Sequence, residues 1–292
     1  MTKTKKKYRR NMFSWILLTP SLLFMGIFLI LPFLLLLILS FHDVDKYMNT
    51  LSTFSLSQYI EVFTSPFYLG TIRSTLWVAL LTTVICIVLA YPAAYLLVRS
   101  PNQGTRTMFY ILLVSPLLTS VVIRTFAWIV ILAQNGLVNE VLMKLHLINQ
   151  PLTLLWNMNA VIIAYVQVML PFAVLPIATS LGEIAPNLRQ ASMILGAGRL
   201  RTFVKVTLPL TIPGMISGAV IVFSLAAGSY ITPLLVGGRL QPFLPLSIYQ
   251  QVMQVSNLPL GAAMSLTLLL FVGIVVGVLG WILKRWEGRM NG

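Results

Sequence analysis

Few residues in this chain are of the types that catalyse reactions or bind metal ions. His42 and His146 lie far apart in polar segments, and the single cysteine, Cys86, lies inside an apolar stretch. A metal centre needs several such side chains at ligand spacing, and an enzyme active site usually needs a nucleophile beside a base. The sequence offers neither arrangement. We therefore assign no catalytic residue and no metal ligand, and we expect the chain to bind no cofactor itself.

The carboxylates are also poorly placed for ion coupling. All six fall outside the long apolar stretches: Asp43, Asp45, Glu61, Glu140, Glu183 and Glu287. Proton-coupled and sodium-coupled carriers usually hold carboxylates inside the membrane. No phosphate-binding loop of the form G-x-x-x-x-G-K-[ST] is present, so a partner must supply the energy for uphill transport. An ion-coupled carrier that uses backbone carbonyls, and a membrane scaffold without transport, stay open as alternatives.

The segment 187–209 has the most ordered polar pattern in the chain. Pro186 can open a helix at its first turn. One face of that helix is small or apolar and consists of Leu188, Ala191, Ser192 and Leu195. Gly196 and Gly198 can adopt the left-handed conformation that ends a helix, and a second, basic segment then runs until Pro209 stops it. We predict a helix-turn-helix whose first helix either fits a groove of a partner protein or lies on lipid headgroups.

The elements that position this segment are membrane-spanning helices. The chain of 292 residues is 58% hydrophobic and 9% charged, whereas soluble proteins carry about 25% charged residues. A helix needs about 20 apolar residues to cross the bilayer core. Six stretches are long enough, near 14–40, 74–98, 108–133, 158–180, 212–236 and 261–283. The expected fold class is an all-α integral membrane protein with about six transmembrane helices.

The basic residues predict which side of the membrane each segment faces. One set of intervals carries the basic tail 1–13, then Arg99 and Arg106, then Arg189, Arg199, Arg201 and Lys205, then Lys284, Arg285 and Arg289. The other set carries only Lys46, Lys144 and Arg239, with Arg73 at a span edge. Lys and Arg near span ends are retained in the cytoplasm, so 181–211 and both termini, including 284–292, are predicted to be cytoplasmic and 41–73 periplasmic. This topology and attraction to anionic lipid explain the net charge of +14 without nucleic acid.

Several residues within the spans are candidates for a translocation path. Arg124 lies near the middle of the third predicted span, where a charge normally faces a polar cavity or a partner, unless it snorkels to nearby water. Trp128 and Tyr230 could stack on a cationic solute or could pack between helices. Three further polar residues could line the path or hydrogen-bond neighbouring helices, namely Gln167, Ser224 and Ser229.

Segment 187–209 resembles the coupling motif of bacterial binding-protein-dependent ABC importer permeases. That motif reads E-A-A, three residues, G, nine residues, I, any residue, L-P. The matching residues here are Gln190, Ala191 and Ser192, then Gly196, Val206, Leu208 and Pro209. Gln190 stands where the family has its acid, and Ser192 where it has its second alanine. The resemblance extends over roughly 70–285.

The resemblance implies a type I ABC importer permease fold in the bacterial inner membrane, with the core 74–283 preceded by an added first helix, 14–40. It implies that the motif helix, followed by Arg199 in the basic segment, inserts into a cleft of an ATPase subunit and transmits its closure to the spans. It also implies the partners: an ATP-binding cassette dimer that holds ATP and Mg, a second permease subunit, a periplasmic substrate-binding protein and membrane lipid. The second permease subunit is either another copy of this chain or a different chain, and the subgroup resemblance described next favours a different chain.

Three further segments resemble the spermidine/putrescine-type permeases. They are Tyr91-Pro92-Ala93-Ala94-Tyr95, Ile123 to Trp128, and Ser229 to Pro233 followed by Gly237-Gly238. This subgroup resemblance implies that the solute is a polyamine. Related permeases for aminoethylphosphonate, ferric iron or other small polar solutes share much of the pattern, so import of another small solute is the alternative.

Overall fold

The computed structural model describes residues 2–238 and 242–290. Six helical stretches in this part of the chain are long and apolar enough to cross a membrane, namely Leu18–Leu39, Pro66–Arg99, Val121–Lys144, Met158–Glu183, Arg199–Gly228 and Leu258–Gly288. The predicted six-span class is therefore confirmed. Arg239 and the outermost residues of the predicted terminal segments, Met1 and 291–292, lie outside the described residues.

Twelve α-helices form the described chain. In order they are α1 (Thr2–Leu39), α2 (Ser57–Thr64), α3 (Pro66–Arg99), α4 (Gln103–Val114), α5 (Val121–Leu132), α6 (Leu137–Lys144), α7 (Met158–Glu183), α8 (Pro186–Ile194), α9 (Arg199–Thr202), α10 (Leu208–Gly228), α11 (Leu244–Gln250) and α12 (Leu258–Met290). A 3-10 turn occupies Ser115–Leu118, and π turns occupy Phe203–Thr207, Pro233–Gly237 and Gln251–Val255. The basic tail 1–13 was predicted as a separate segment, but α1 begins at Thr2 and includes it.

A short hairpin that the sequence did not predict lies in the segment 41–73 of this otherwise helical fold. Strands β1 (His42–Val44) and β2 (Thr50–Phe54) pair antiparallel. Asp45 holds the turn, because its Oδ1 accepts hydrogen bonds from the backbone N–H groups of Tyr47 at 2.7 Å and Asn49 at 2.8 Å. The side-chain amide of Asn49, followed by these backbone donors, lowers the pKa of Asp45. The strands escape a search for apolar runs because they are short and polar.

The second span begins earlier than predicted. Ser65 is extended and Pro66 occupies the first turn of α3, so the helix starts there and not at residue 74. Arg73, which suggested the span edge, has an exposed side chain and lies within the helix. The prediction treated the charge of Arg73 as the edge of the span, although this charge lies on an exposed face within α3, and the predicted start of the span was therefore too late.

The third predicted span, 108–133, is not one continuous helix. α4 and α5 each contain 12 residues, which corresponds to about 18 Å of helix and is too short for a bilayer core of about 30 Å. Between them, Pro116 opens the 3-10 turn, Thr119 is extended, and the Ser120 hydroxyl accepts a hydrogen bond from the N–H of Val122 at 3.3 Å. The candidate span in this region is Val121–Lys144, which is itself interrupted between α5 and α6, and Arg124 lies near its start and not in the middle.

The fifth predicted span, 212–236, is displaced toward the N-terminus. The helical stretch runs from Arg199 to Gly228, and Ser229 is extended. The Tyr165 hydroxyl donates a hydrogen bond of 2.8 Å to the backbone carbonyl of Ser229, so the carbonyl at this helix end has a partner. Ser229 and Tyr230 therefore follow the span and do not lie within it.

The packed core of the molecule is formed by α3, α7 and α10. Tyr165 and Ile177 of α7, Phe223 of α10 and Cys86 of α3 are fully or almost fully buried in it. Gly214 and Gly218 lie one turn apart on α10 and allow the backbone of α7 to approach closely. In contrast, α1 has exposed apolar side chains along its span and contacts α12. Two of the three core helices, α7 and α10, are thus those that flank the segment 187–209 along the chain.

Replacing Gly214 with alanine is expected to loosen the contact between α7 and α10. A Cβ at this position would lie 2.6 Å from the Pro176 carbonyl oxygen and 2.7 Å from Ser180 Oγ. Overpacking of this kind costs about 1–3 kcal/mol. Thermal unfolding of the purified protein in detergent measures the effect. Gly277→Ala is the control, because no atom lies within 4 Å of the added Cβ. Its unfolding temperature should not be lower than that of wild type. Equal behaviour of the two variants would contradict this account of the helix contact.

Candidate coupling segment and translocation cavity

The predicted first helix of the segment 187–209 is present as α8. Ala185 is extended and Pro186 occupies the first turn, as expected for proline at a helix start. The helix ends where the N–H of Gly196 donates to the carbonyl of Met193 at 3.0 Å and the N–H of Ala197 donates to that of Ser192 at 3.1 Å. Gly196 has φ of +84°, the left-handed conformation predicted for it. No atom lies within 4 Å of the position a Cβ would take, so the requirement for glycine is conformational and not steric.

Gly198 does not adopt the left-handed conformation that was predicted for it. Its φ is −64° and its ψ is 164°, and its carbonyl accepts a hydrogen bond from the N–H of Thr202 at 2.9 Å. One left-handed residue is enough to reverse the chain, and Gly198 instead precedes the helix that begins at Arg199. The two glycines therefore have different roles.

Pro209 does not stop the second, basic segment. The helix continues from α9 through the π turn Phe203–Thr207 into α10, with Pro209 in the first turn of α10. The N–H of Leu208 donates to the carbonyl of Phe203, five residues earlier. In a regular α-helix the ring of Pro209 would clash with the preceding turn, and proline has no N–H to donate. The wider hydrogen bonding of the π turn leaves room for this ring. The part of the segment 187–209 that begins at Arg199 is thus joined to the core by one unbroken helical stretch, Arg199–Gly228.

The surface of α8 has no cover in the described chain. Ile194 and Leu195 are 85% and 87% exposed, and Leu188 and Met193 are also exposed. Among the motif residues, Gln190 and Ala191 are exposed. An apolar surface on a short helix is typical of an element that enters a groove of another protein.

Ser192 faces the molecule and not the surface. Its hydroxyl lies 3.1 Å from the hydroxyl of Thr202, so it ties α8 to α9. The indole N–H of Trp286 in α12 donates to the carbonyl of Pro209 at 3.3 Å. This contact brings the C-terminal segment to the same end of the bundle as the coupling segment, as the predicted topology requires. The side of the membrane that this end faces stays a prediction.

A cavity of about 410 Å³ lies between α5, α7 and α10. Its lining includes Arg124, Met169, Phe172, Ser224 and Ser229. Arg124 Nε and Nη1 are buried and have no hydrogen-bond partner among the described residues. Three of the path candidates, Arg124, Ser224 and Ser229, thus meet in one cavity.

The remaining path candidates, Trp128, Gln167 and Tyr230, contact residues outside this cavity. The indole N–H of Trp128 donates to Gln167 Oε1 at 3.2 Å, which links α5 to α7. The ring of Tyr230 stacks on that of Tyr249 with centroids 5.0 Å apart. These three residues are not in the cavity lining, and their contacts are those of residues that bind helices together.

Sequence reasoning missed the part of the cavity that α7 supplies. Val168, Met169 and Phe172 line it, and no polar side chain marked this face. The spacing of Val168 and Phe172 by one helical turn, beside Pro171, was the signal that could have found them. Within residues 2–238 and 242–290, no group of His, Cys, Asp or Glu side chains is arranged to hold a metal ion.

Comparison with known proteins gives consistent matches. A family model described as "Binding-protein-dependent transport system inner membrane component" matches residues 86–288. The chain is 32% identical over 250 residues to the spermidine/putrescine transport system permease protein PotB of Escherichia coli (strain K12), which covers 86% of this chain and 90% of that relative. The family match includes the whole segment 187–209 and most of the core.

Solved structures show the same fold. A bacterial ABC transporter involved in the import of the acidic polysaccharide alginate has a TM-score of 0.79 at 17% identity, over 97% of this chain and 99% of that chain. The alginate ABC transporter in complex with a periplasmic protein bound to an alginate pentasaccharide has a TM-score of 0.72 at 18% identity, over 98% and 97%. At this identity the similarity concerns the fold alone.

Proposed function

The chain belongs to the family of binding-protein-dependent transport system inner membrane components and is the permease component of an ABC importer, and we propose that the solute it passes is a polyamine, spermidine or putrescine. The similarity to the spermidine/putrescine permease over most of both chains carries this proposal.

We propose that the ATPase docks on α8. The observation that supports docking is the uncovered apolar surface of Ile194 and Leu195, at the position of the family coupling motif. The helical stretch from Arg199 to Gly228 joins this surface to the cavity that contains Ser224 and Ser229. A movement of α8 on ATPase closure would therefore reach the cavity through the contact between Ser192 and Thr202 and then along this helical stretch.

We propose that a second, different permease subunit completes the path and that a periplasmic binding protein delivers the solute. The solved alginate transporter, which has the same fold, is in complex with a periplasmic protein. On this chain, the hairpin β1–β2 and the region around α11 lie at the end of the bundle opposite to α8 and are the surfaces on which such a protein would dock. ATP and Mg belong to the partner ATPase.

Arg124 limits how tightly the cavity can hold a cation. Arginine keeps its positive charge, and at an effective dielectric constant of about 20 a like charge about 5 Å away is disfavoured by roughly 3 kcal/mol. Transport requires a site that is weak enough to release its solute. In an importer whose binding protein captures the polyamine, a weak cation site in the permease favours passage toward the cytoplasm.

Replacing Arg124 with glutamine is expected to alter spermidine transport more than putrescine transport. Spermidine carries more positive charge, so the removed repulsion is larger for it. We expect the ratio of spermidine occupancy to putrescine occupancy of the assembled importer to rise by about tenfold. Competition between the two labelled polyamines measures this ratio. Arg124→Lys is the control that keeps the charge, and an unchanged ratio in Arg124→Gln would show that Arg124 does not face the solute.

Substrate-dependent ATP hydrolysis tests the proposed function. The chain is reconstituted in lipid with its ATPase, companion permease and binding protein, and hydrolysis is measured with spermidine, putrescine, aminoethylphosphonate and ferric iron. Stimulation by a polyamine is the expected result. Stimulation only by another solute would overturn the polyamine proposal, and failure to assemble with any ATPase would overturn the docking role of α8.

A further inference from the structure

A second cavity, also of about 410 Å³, lies on the inner side of the coupling segment. Its lining includes Tyr95 of α3, Arg189 of α8, and Arg199 and Thr202 of α9. Arg99, the last residue of α3, is close enough to Arg189 for the two guanidinium groups to repel each other. Two arginines, Arg189 of α8 and Arg199 of α9, thus line one cavity at the end of the helix bundle, and Arg99 of α3 lies beside Arg189.

These arginines have no counter-charge within the described chain. Arg99 Nε and Nη2 are buried and have no hydrogen-bond partner among the described residues. The one ion pair in the described part joins Lys144 and Glu140 in α6. Gln190, next to Arg189, stands where the related motif has an acid. Arg189 is half-buried and Arg199 is exposed. The buried nitrogens of Arg99 without a partner are unfavourable, and the like charges of Arg189 and Arg199 add to this, so the arrangement favours an anion from outside the chain.

We propose that this cavity binds a phosphate group, and that the phosphate belongs to the headgroup of an anionic phospholipid. A guanidinium group offers a planar fork of N–H donors that matches phosphate oxygens, and arginine is the usual residue for such recognition. The cavity has the size of a headgroup and contains hydroxyl groups of Tyr95 and Thr202 that can complete its hydrogen bonds.

The surroundings of the cavity favour lipid over free phosphate. Leu96 of α3, Leu200 of α9 and Val204 of the π turn are exposed apolar residues in the segments that form the cavity. Acyl chains can cover such residues, whereas free phosphate cannot. Basic residues at the membrane surface are also attracted to anionic lipids, which strengthens binding by about fivefold per residue. A headgroup in this place would tie the end of α3 to α8 and hold the coupling segment in one orientation.

Lipid retention by the assembled importer tests this site. The complex is exchanged into nanodiscs of phosphatidylcholine with or without phosphatidylglycerol, and retained lipid is counted by native mass spectrometry. The test variant is Arg99→Gln with Arg189→Gln. The matched control is Arg106→Gln with Arg201→Gln, which removes the same charge from arginines that belong neither to this cavity lining nor to the Arg99–Arg189 pair. We expect at least about tenfold preferential retention of phosphatidylglycerol in wild type and control, and its loss in the test variant.

Further arms identify the source of the phosphate. Inorganic phosphate that raises the unfolding temperature of the detergent-solubilised wild type, but not of the test variant, without any lipid preference would keep the phosphate site and overturn the lipid source. Arg99→Lys with Arg189→Lys keeps the charge and loses the paired donors, so an intermediate retention is expected. Equal lipid loss in test and control variants would reduce the effect to general surface charge and overturn the site. Loss of ATPase binding with lipid preference intact would assign the arginines to the partner protein instead.

Discussion

Gly196→Val is expected to abolish most of the substrate-stimulated ATP hydrolysis of the assembled importer while leaving the chain inserted in the membrane. Gly196 has φ of +84°, and a β-branched residue in this region costs on the order of 1–3 kcal/mol. No neighbouring atom lies within 4 Å of the added Cβ, so the strain is in the backbone conformation and not in a steric clash. It can therefore be relieved only if the turn changes its conformation. A changed turn moves α8 relative to α9, so the docking surface no longer fits, and we expect a fall of at least about tenfold.

Two control variants show whether the effect of Gly196→Val comes from the backbone conformation at this turn or from the added side-chain size. Gly198→Ala should leave hydrolysis nearly unchanged, because Gly198 has φ of −64° and open space around it. Gly196→Asn should retain more activity than Gly196→Val, because asparagine tolerates the left-handed region. Hydrolysis and ATPase co-purification are measured for all variants. Normal coupling in Gly196→Val would show that the geometry of this turn does not matter for docking.

The double substitution of Ile194 and Leu195 by serine is expected to release the ATPase. Both side chains are almost fully exposed and apolar, at the end of α8 that projects from the molecule. Apolar residues at the centre of an interface commonly contribute about 2 kcal/mol or more each, so the combined loss corresponds to roughly 100-fold weaker binding or more. The fraction of ATPase that remains with the permease during gel filtration at falling concentration measures this change.

The matched control is the same double substitution at Leu145 and Leu147. These residues are also exposed, and they lie in the segment that follows α6, away from the coupling segment. Surface substitutions of this kind change folding free energy by only about 0.5 kcal/mol. Retention of the ATPase should therefore match wild type in the control. Retention in the Ile194 and Leu195 variant as well would remove α8 from the interface.

The number of spans and the coupling motif could be predicted from the sequence because both depend on local patterns. Apolar length determines the spans, and the start of α8 at Pro186 and the left-handed Gly196 follow from properties of proline and glycine. The family that the resemblance of segment 187–209 implied was likewise confirmed by a match over residues 86–288.

The errors share a physical cause, which is that hydropathy does not record backbone hydrogen bonding. The residues around Pro116 and Thr119 are apolar or small enough to pass as helix, yet the backbone breaks there and shifts the third span. Pro209 was expected to stop a helix, but a π turn accommodates it. The sequence could propose that Arg124 and Ser229 line the same path, since both are polar residues near spans. It could not predict the hydrogen bond between Trp128 and Gln167, because this bond depends on how α5 packs against α7.

The most direct test of the account is ATP-driven accumulation of spermidine in sealed vesicles that contain this chain, its companion permease and its ATPase, with the binding protein added outside. We expect accumulation that requires both ATP and the binding protein and that is lost when Ile194 and Leu195 are replaced by serine. Accumulation that persists without the ATPase, or that survives the loss of the α8 surface, would contradict the assignment of this chain as a permease driven through its coupling segment.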